Sequence, residues 1–198
     1  VPKQVDHRER REEIARALWR VVDIAGVQRL SLREVAKEAG MSHGQLQHYF
    51  ASRQELLTFA MDFAAERSAA RVADGMARLG ADPHPRYVLR LVLVEMLPLH
   101  PDSRATSRMN AAYVLEALHD EAIRERTRDG LSRGREQVEG LVRAAIADGR
   151  IAADRAPSTE TDRLLALTGL TPLLELRVIE PDDALAAIDR HLEDLFTT

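Results

Sequence analysis

The chain has 198 residues, 45% of them apolar and 30% charged, with a net charge of −4 and no cysteine. That is enough chain to bury one sizeable core or two small ones, and too apolar a chain for a disordered segment. The missing cysteines exclude disulfides, thiolate metal sites and cysteine nucleophiles, no window approaches the ~18 apolar residues of a membrane span, and the first residues carry no hydrophobic signal core, so the reading is a cytoplasmic protein with no membrane partner.

Charge is divided unevenly. Residues 1–55 carry ten Lys and Arg against eight Asp and Glu, the remainder eighteen against twenty-four. The asymmetry is modest and does not by itself decide a function, but local charge and not the whole-chain sum governs phosphate binding, and the N-terminal part is the one that favours it.

Residues 1–6 read as a short arm with Lys3, followed by Arg8, Arg10 and Arg11: a solvated terminus or an arm near phosphates. Ile14, Leu18, Val21, Val22 and Ala25 then mark an amphipathic helix from about His7 to Ala25, closed by Gly26. Trp19 sits beside that stripe as a packing residue. Ser31–Phe50, SLREVAKEAGMSHGQLQHYF, divides into two short helical patterns. Leu32, Val35, Ala36 and Ala39 share one face of the first, and Leu46 and Phe50 one face of the second. Each opens on a cap signal, Ser31 before Glu34 and Ser42 before Gln45, and Gly40 supplies the left-handed residue of a tight reversal between them. Gly44, Gln45 and His48 project away from the apolar side, with His43, Gln47 and Tyr49 on the flanks. Donors and acceptors on an outer face, with a glycine that permits close approach, are what reading a DNA groove requires; together these features describe a helix-turn-helix.

Residues 6–57, with SLREVAKEAGMS, QLQHYF and SRQELL in this order, resemble the DNA-binding domain of the TetR family of bacterial regulators. The resemblance implies an all-α protein, a homodimer on a double-stranded DNA operator and release by a small organic effector. It places Ser31, Ser42, Tyr49 and Arg53 on positions that hold backbone phosphates, and Arg33, His43, Gly44, Gln45, Gln47 and His48 complete the expected DNA-binding set. His43 stands where the family often has lysine and Gln47 where it often has tyrosine. Both departures weaken the fixed electrostatic grip.

Beyond Ala51-Ser52, a third capping signal at Ser52–Glu55 opens a helix to about Gly75 or Gly80, with the stripes Leu56, Ala60, Phe63 and Leu57, Met61, Ala64. A helix apolar on two sides contacts two bodies, so this one reads as a connector. After the Gly80–Pro85 loop, Tyr87–Leu97 is nearly all apolar and Pro98 and Pro101 stop it. Asp102–Leu118 forms another helix. VEMLPLHPDSRATSRMNAAYVLEALHD resembles a TetR subgroup that includes the choline-responsive repressor of betaine synthesis, but residues 82–198 offer only Tyr87, Tyr113 and Phe196 for the aromatic cage a quaternary ammonium favours. Asp120–Asp148 is a long polar helix with Leu131, Val138, Leu141, Val142 and Ile146 on one face. Its Gly130, Gly134 and Gly140 imply a bend or a close helix approach. A further helix from Ser158 carries Leu164, Leu167, Leu170 and Leu174 and should kink at Pro172. The last spans about Asp182–Phe196.

The fold class read from this pattern is all-α, with a three-helix DNA-binding domain over residues 1–55 and a helical effector and dimer domain over residues 56–198. Leu164, Leu167, Leu174, Leu185, Ile188 and Leu192 are the expected dimer interface, and Phe63, Met96, Met109, Tyr113 and Thr168 the expected effector contacts. No cofactor, metal or catalytic residue is expected, since HExxH, GxSxG and a glycine-rich phosphate cradle are all missing. Two other classes compete. A di-iron-like metalloprotein could use the Glu-x-x-His of Glu116 and His119, which occurs only once; a protein-binding adaptor would present apolar anchors where this chain presents Gln45 and His48.

Overall fold

A computed structural model describes residues 2–197, apart from the side chains of residues 2–6, 28, 113, 116 and 122. The expectations placed on the side chains of Lys3, Tyr113 and Glu116 therefore lie outside the described residues. All regular structure among the described residues is helical. Ten α-helices follow there in chain order: α1 Pro2–Ala25, α2 Leu32–Glu38, α3 His43–Gln47, α4 Arg53–Leu79, α5 Pro85–Glu95, α6 Pro101–Ala117, α7 Glu121–Ala147, α8 Pro157–Thr168, α9 Thr171–Glu175 and α10 Pro181–Phe196. A 3-10 turn, Val27–Arg29, links α1 to α2.

Packing divides the chain into two compact units, residues 1–69 with 100–112 and residues 70–99 with 113–198. The chain passes between them within α4, ahead of α6 and within α6.

In the first unit, Ile14, Leu18, Val22, Val35, Leu46, Phe50, Leu56, Ala60 and Met109 are buried, nearly all of them residues that the helical spacings of α1–α4 place on inward faces. α1 packs on α2, and α2 on α3. Trp19 is buried with its ring stacked on Phe63, centroids 5.4 Å apart, and Phe63 continues to Phe59 at 6.2 Å. The helical backbone of α1 begins at Pro2, ahead of the expected start near His7 and through the expected arm. Proline is tolerated in a first turn because that N–H has no helical partner anyway.

In the second unit, α5 is the central element and packs against α7, α8 and α10. Leu89, Leu93, Val138, Val142, Leu164, Ile188, Leu192 and Leu195 share its core. Arg90 bridges α5 to α10 through both oxygens of Asp189, Nε at 2.5 Å and Nη2 at 3.0 Å, and Arg86 reaches Glu193 at 2.9 Å.

Several expectations from the sequence change here. Pro172 does not kink one helix; it sits in the first turn of a separate one, because α8 ends at Thr168 and α9 starts at Thr171. A Cβ built on Gly130, Gly134 or Gly140 meets no atom within 4 Å, so no helix of this chain approaches them closely. Gly75, inside α4, is the close approach instead: a Cβ there lies 2.8 Å from a methyl of Leu91. Leu131 is exposed, unlike Val138 and Val142 further along the same stripe of α7.

Candidate nucleic-acid interface

The helix-turn-helix is assembled by local rules. Ser31 lies in extended backbone and its Oγ accepts the N–H of Glu34, fixing the start of α2. Gly40 takes φ +66°, the left-handed conformation in which a Cβ would crowd the following carbonyl, and α2 stops there. Ser42 opens α3 with a complete capping box: Oγ accepts the N–H of Gln45 at 3.2 Å, and Oε1 of Gln45 accepts the N–H of Ser42 at 2.8 Å. The third capping signal closes differently. Ser52 Oγ accepts the N–H of Glu55, but the Glu55 carboxylate reaches one residue further back, to the N–H of Ala51 at 2.9 Å.

α3 is shorter than its apolar spacing suggests, ending at Gln47 with His48 as its cap. Phe50 N–H nevertheless donates to the Leu46 carbonyl at 3.0 Å, so both apolar residues point inward and both are fully buried. Arg11 of α1 lies over Phe50 and Phe59, 4.4 and 4.5 Å from their ring centroids, and also reaches Glu55 at 3.1 Å. Arg53 Nε donates to the Leu30 carbonyl at 3.1 Å, tying the start of α4 to the segment before α2.

Of the expected DNA-contacting residues, Ser31, Arg33, Ser42, Gly44, Gln45, Gln47, His48 and Arg53 are exposed, and His43 and Tyr49 are half-buried. The ring of Tyr49 leans on that of His7 at 5.0 Å. Charge is sorted along the unit. On α1, Arg8, Arg10, Arg11, Arg16 and Arg20 all pair with carboxylates. Arg29, Arg33 and Lys37 are exposed and have no carboxylate partner among the described residues; with Glu34 of α2 the exposed carboxylate likewise unpaired beside them, the surface carrying α2 and α3 holds a small excess of positive charge.

A cleft of about 350 Å³ runs beside α3, lined by His7, Arg10, Met41, Gln45, His48 and Tyr49. His7 and Met41 are not among the contacts expected from the sequence, and Arg10 is expected only as part of a terminal arm. No spacing rule relates α1 to α3, so the sequence carries no signal for this meeting.

The other expected sites are more dispersed. Phe63 and Met109 are buried in the first unit, Phe63 within its aromatic stack. Met96 is exposed in the second unit, and Thr168 there spends its hydroxyl on the Leu165 carbonyl at 2.7 Å. Of the expected interface leucines, Leu167, Leu174 and Leu185 keep some surface. Leu164, Ile188 and Leu192 are fully buried in the chain's own core, because α8 turns its stripe toward α7 and α5 and α10 turns its stripe toward α5 and α8; these three have no surface to offer a partner.

A capped pair of short helices about a left-handed glycine, with the second presenting polar groups outward, defines a helix-turn-helix DNA-binding regulator. Residues 14–58 match the family described as bacterial regulatory proteins, tetR family, and residues 85–197 match the BetI-type transcriptional repressor, C-terminal family. The HTH-type transcriptional regulator PksA of Bacillus subtilis (strain 168) is 31% identical over 198 residues, 98% of this chain and 94% of that one. In fold, a TetR-family regulator from a Rhodococcus species superposes with a TM-score of 0.76 at 23% identity, over 96% of this chain and 99% of that one. A transcriptional regulator from Saccharomonospora viridis, solved in complex with choline, gives 0.73 at 21% identity over 94% of each chain. The chain belongs to the TetR family of bacterial transcriptional regulators, and it is a regulator and not an enzyme. No helix among the described residues is long and apolar enough to cross a membrane.

Proposed function

We infer that this regulator is a repressor that binds a near-palindromic operator as a homodimer and leaves it when a small organic molecule binds. The observation that carries the DNA-binding half is the outward face of α3, where Gly44, Gln45 and His48 are exposed beside Arg33 and Lys37 of α2, neither of them held by a carboxylate among the described residues. In a two-fold dimer the two copies of α3 enter successive major grooves about 34–36 Å apart. Residues 1–55 act as the reading domain and residues 56–198 as the effector and dimer domain. The dimer forms through α8, α9 and α10, with Leu167, Leu174 and Leu185 among the apolar residues that retain surface.

The match of residues 85–197 to a BetI-type repressor region supports an effector bound there. Choline is bound by the Saccharomonospora relative. Here Tyr87 is exposed and few aromatic residues are available for a cage, which favours an apolar organic effector over a quaternary ammonium. Release is a population shift: the effector favours a dimer whose reading heads are wrongly spaced, so effector and DNA must weaken each other reciprocally.

The test is selection of duplexes from a randomised pool, followed by anisotropy titration of the selected duplex across salt. A two-fold symmetric consensus and an affinity that falls steeply with salt are expected. An asymmetric or salt-independent interaction overturns the reading, and sedimentation of the free protein as a monomer at micromolar concentration removes the dimer.

A further inference from the structure

We propose that the cleft between α1 and α3 seats a phosphate of the DNA backbone, and that His7 and Arg10 of α1 hold it together with Tyr49. This rests on the helix-turn-helix reading and extends it to α1, where that reading has only a basic arm and gives His7 no role.

Three observations carry the assignment. The first is the chemistry of the lining. His7, Arg10, His48 and Tyr49 all present N–H or O–H donors, Gln45 adds its amide, and no carboxylate lines the cleft. An imidazole donates one N–H even when neutral, so the donor set does not depend on protonation. Converging donors without an acid suit a phosphodiester. The second is place. Gln45 and His48 line the cleft and also belong to α3 and its cap, with Tyr49 one residue beyond, so whatever covers the outward face of α3 covers the cleft as well. The third is fixation. The His7 ring leans on that of Tyr49 at 5.0 Å, which anchors the start of α1 to the end of α3 and holds both donors at one mouth. Arg10 is the adjustable member. It is paired with the exposed Glu13, which is not part of the lining and competes with any incoming anion. Removing that competitor should strengthen DNA binding.

The probe is the duplex that the wild-type chain selects from a randomised pool, with an unrelated duplex beside it. His7→Ala and Arg10→Ala should each weaken both duplexes by a similar factor, and Arg10→Ala, which removes a cation, should also reduce the salt slope by roughly 0.9 for the lost phosphate contact. Glu13→Gln should tighten both, whereas Glu136→Gln, the same charge change on α7, should not. Because Glu13→Gln predicts a gain, a misfolded variant cannot imitate it. A duplex carrying a neutral methylphosphonate at one flanking phosphate should bind wild type more weakly, and that penalty should vanish in Arg10→Ala. Wild-type slope and affinity in both alanine variants, or methylphosphonate penalties that simply add to theirs, overturn the cleft while leaving α3 as the reading helix. The cleft is overturned equally if inorganic phosphate binds there but no methylphosphonate position couples to Arg10. If wild type binds neither duplex in a salt-dependent way, the helix-turn-helix reading fails and this assignment fails with it.

Discussion

Ser42 and Gln45 hold each other at the start of α3, each backbone N–H donating to the other's side-chain oxygen, at 2.8 and 3.2 Å. Gln45 is thus both a structural cap and an exposed polar group on the reading face. Its Oε1 is engaged with the chain, and its amide N–H groups remain for a base edge. The two roles separate by substitution. Ser42→Ala should cost about 1 kcal/mol of stability through the cap alone. Gln45→Glu keeps a cap acceptor but replaces the donor with negative charge, so its melting temperature should stay near wild type while affinity for the selected duplex falls at least tenfold, on the order of the 1–3 kcal/mol of a base contact. Thermal melts and anisotropy on the same samples decide it; equal losses of both quantities in the two variants would merge the roles.

Gly40 gives a second local test. Its φ of +66° is the left-handed region, and a Cβ there meets no neighbouring atom within 4 Å. Backbone strain is therefore the whole penalty, roughly 1–2 kcal/mol for alanine. Gly40→Asn should recover much of it, since asparagine tolerates this conformation better. A loss in Gly40→Ala that asparagine does not recover would point to another cause.

These two positions also explain why the N-terminal region is legible from sequence. Caps, a left-handed glycine and inward spacing are fixed by residues three or four apart, and Ser31, Gly40, Ser42, Leu46 and Phe50 all take the expected places. What depends on distant partners is not legible. The stripe of Leu164, Ile188 and Leu192 has the same spacing whether it faces α5 or a second subunit, and only the packed unit shows that its own core takes it. The meeting of His7 with Tyr49 joins residues forty-two apart in sequence, beyond any periodic signal. Pro172 marks a disruption in any reading of the sequence, but a kink and a break differ only in whether the neighbouring turn has other contacts.

Acid stability of the second unit should report on Asp189. Hydrogen bonding from Arg90 holds its carboxyl below the usual carboxylate range, with desolvation opposing and the charges of Arg90 and Arg86 assisting. A carboxylate depressed in the folded state contributes stability that is complete above its unfolded value and is lost as pH falls through the folded one. The contribution should thus be intact at pH 7 and fade from about pH 4 downward. Both partners are about a third exposed, so solvent screening keeps it small. Asp189→Asn should flatten this part of the denaturant midpoint against pH, and an unchanged acid limb would remove Asp189 as its source.

The glycines of α4 and α7 predict opposite responses to the same substitution. At Gly130, Gly134 and Gly140 an added methyl meets nothing of this chain within 4 Å, while alanine relieves up to ~1 kcal/mol of helix-interior cost at each. The triple variant should therefore melt higher. At Gly75 the same methyl would lie 2.8 Å from Leu91, so alanine must displace a packed side chain. Overpacking of that kind costs about 1–3 kcal/mol, which outweighs the propensity gain. Gly75→Ala should melt lower, and Gly75→Ala with Leu91→Ala should recover part of the loss by removing the colliding methyls. Sedimentation must accompany the melts of the α7 triple variant. A higher melting temperature with an unchanged assembly state is the expected outcome; a lower one with loss of the dimer would show that a second subunit comes as close to these glycines as Leu91 comes to Gly75.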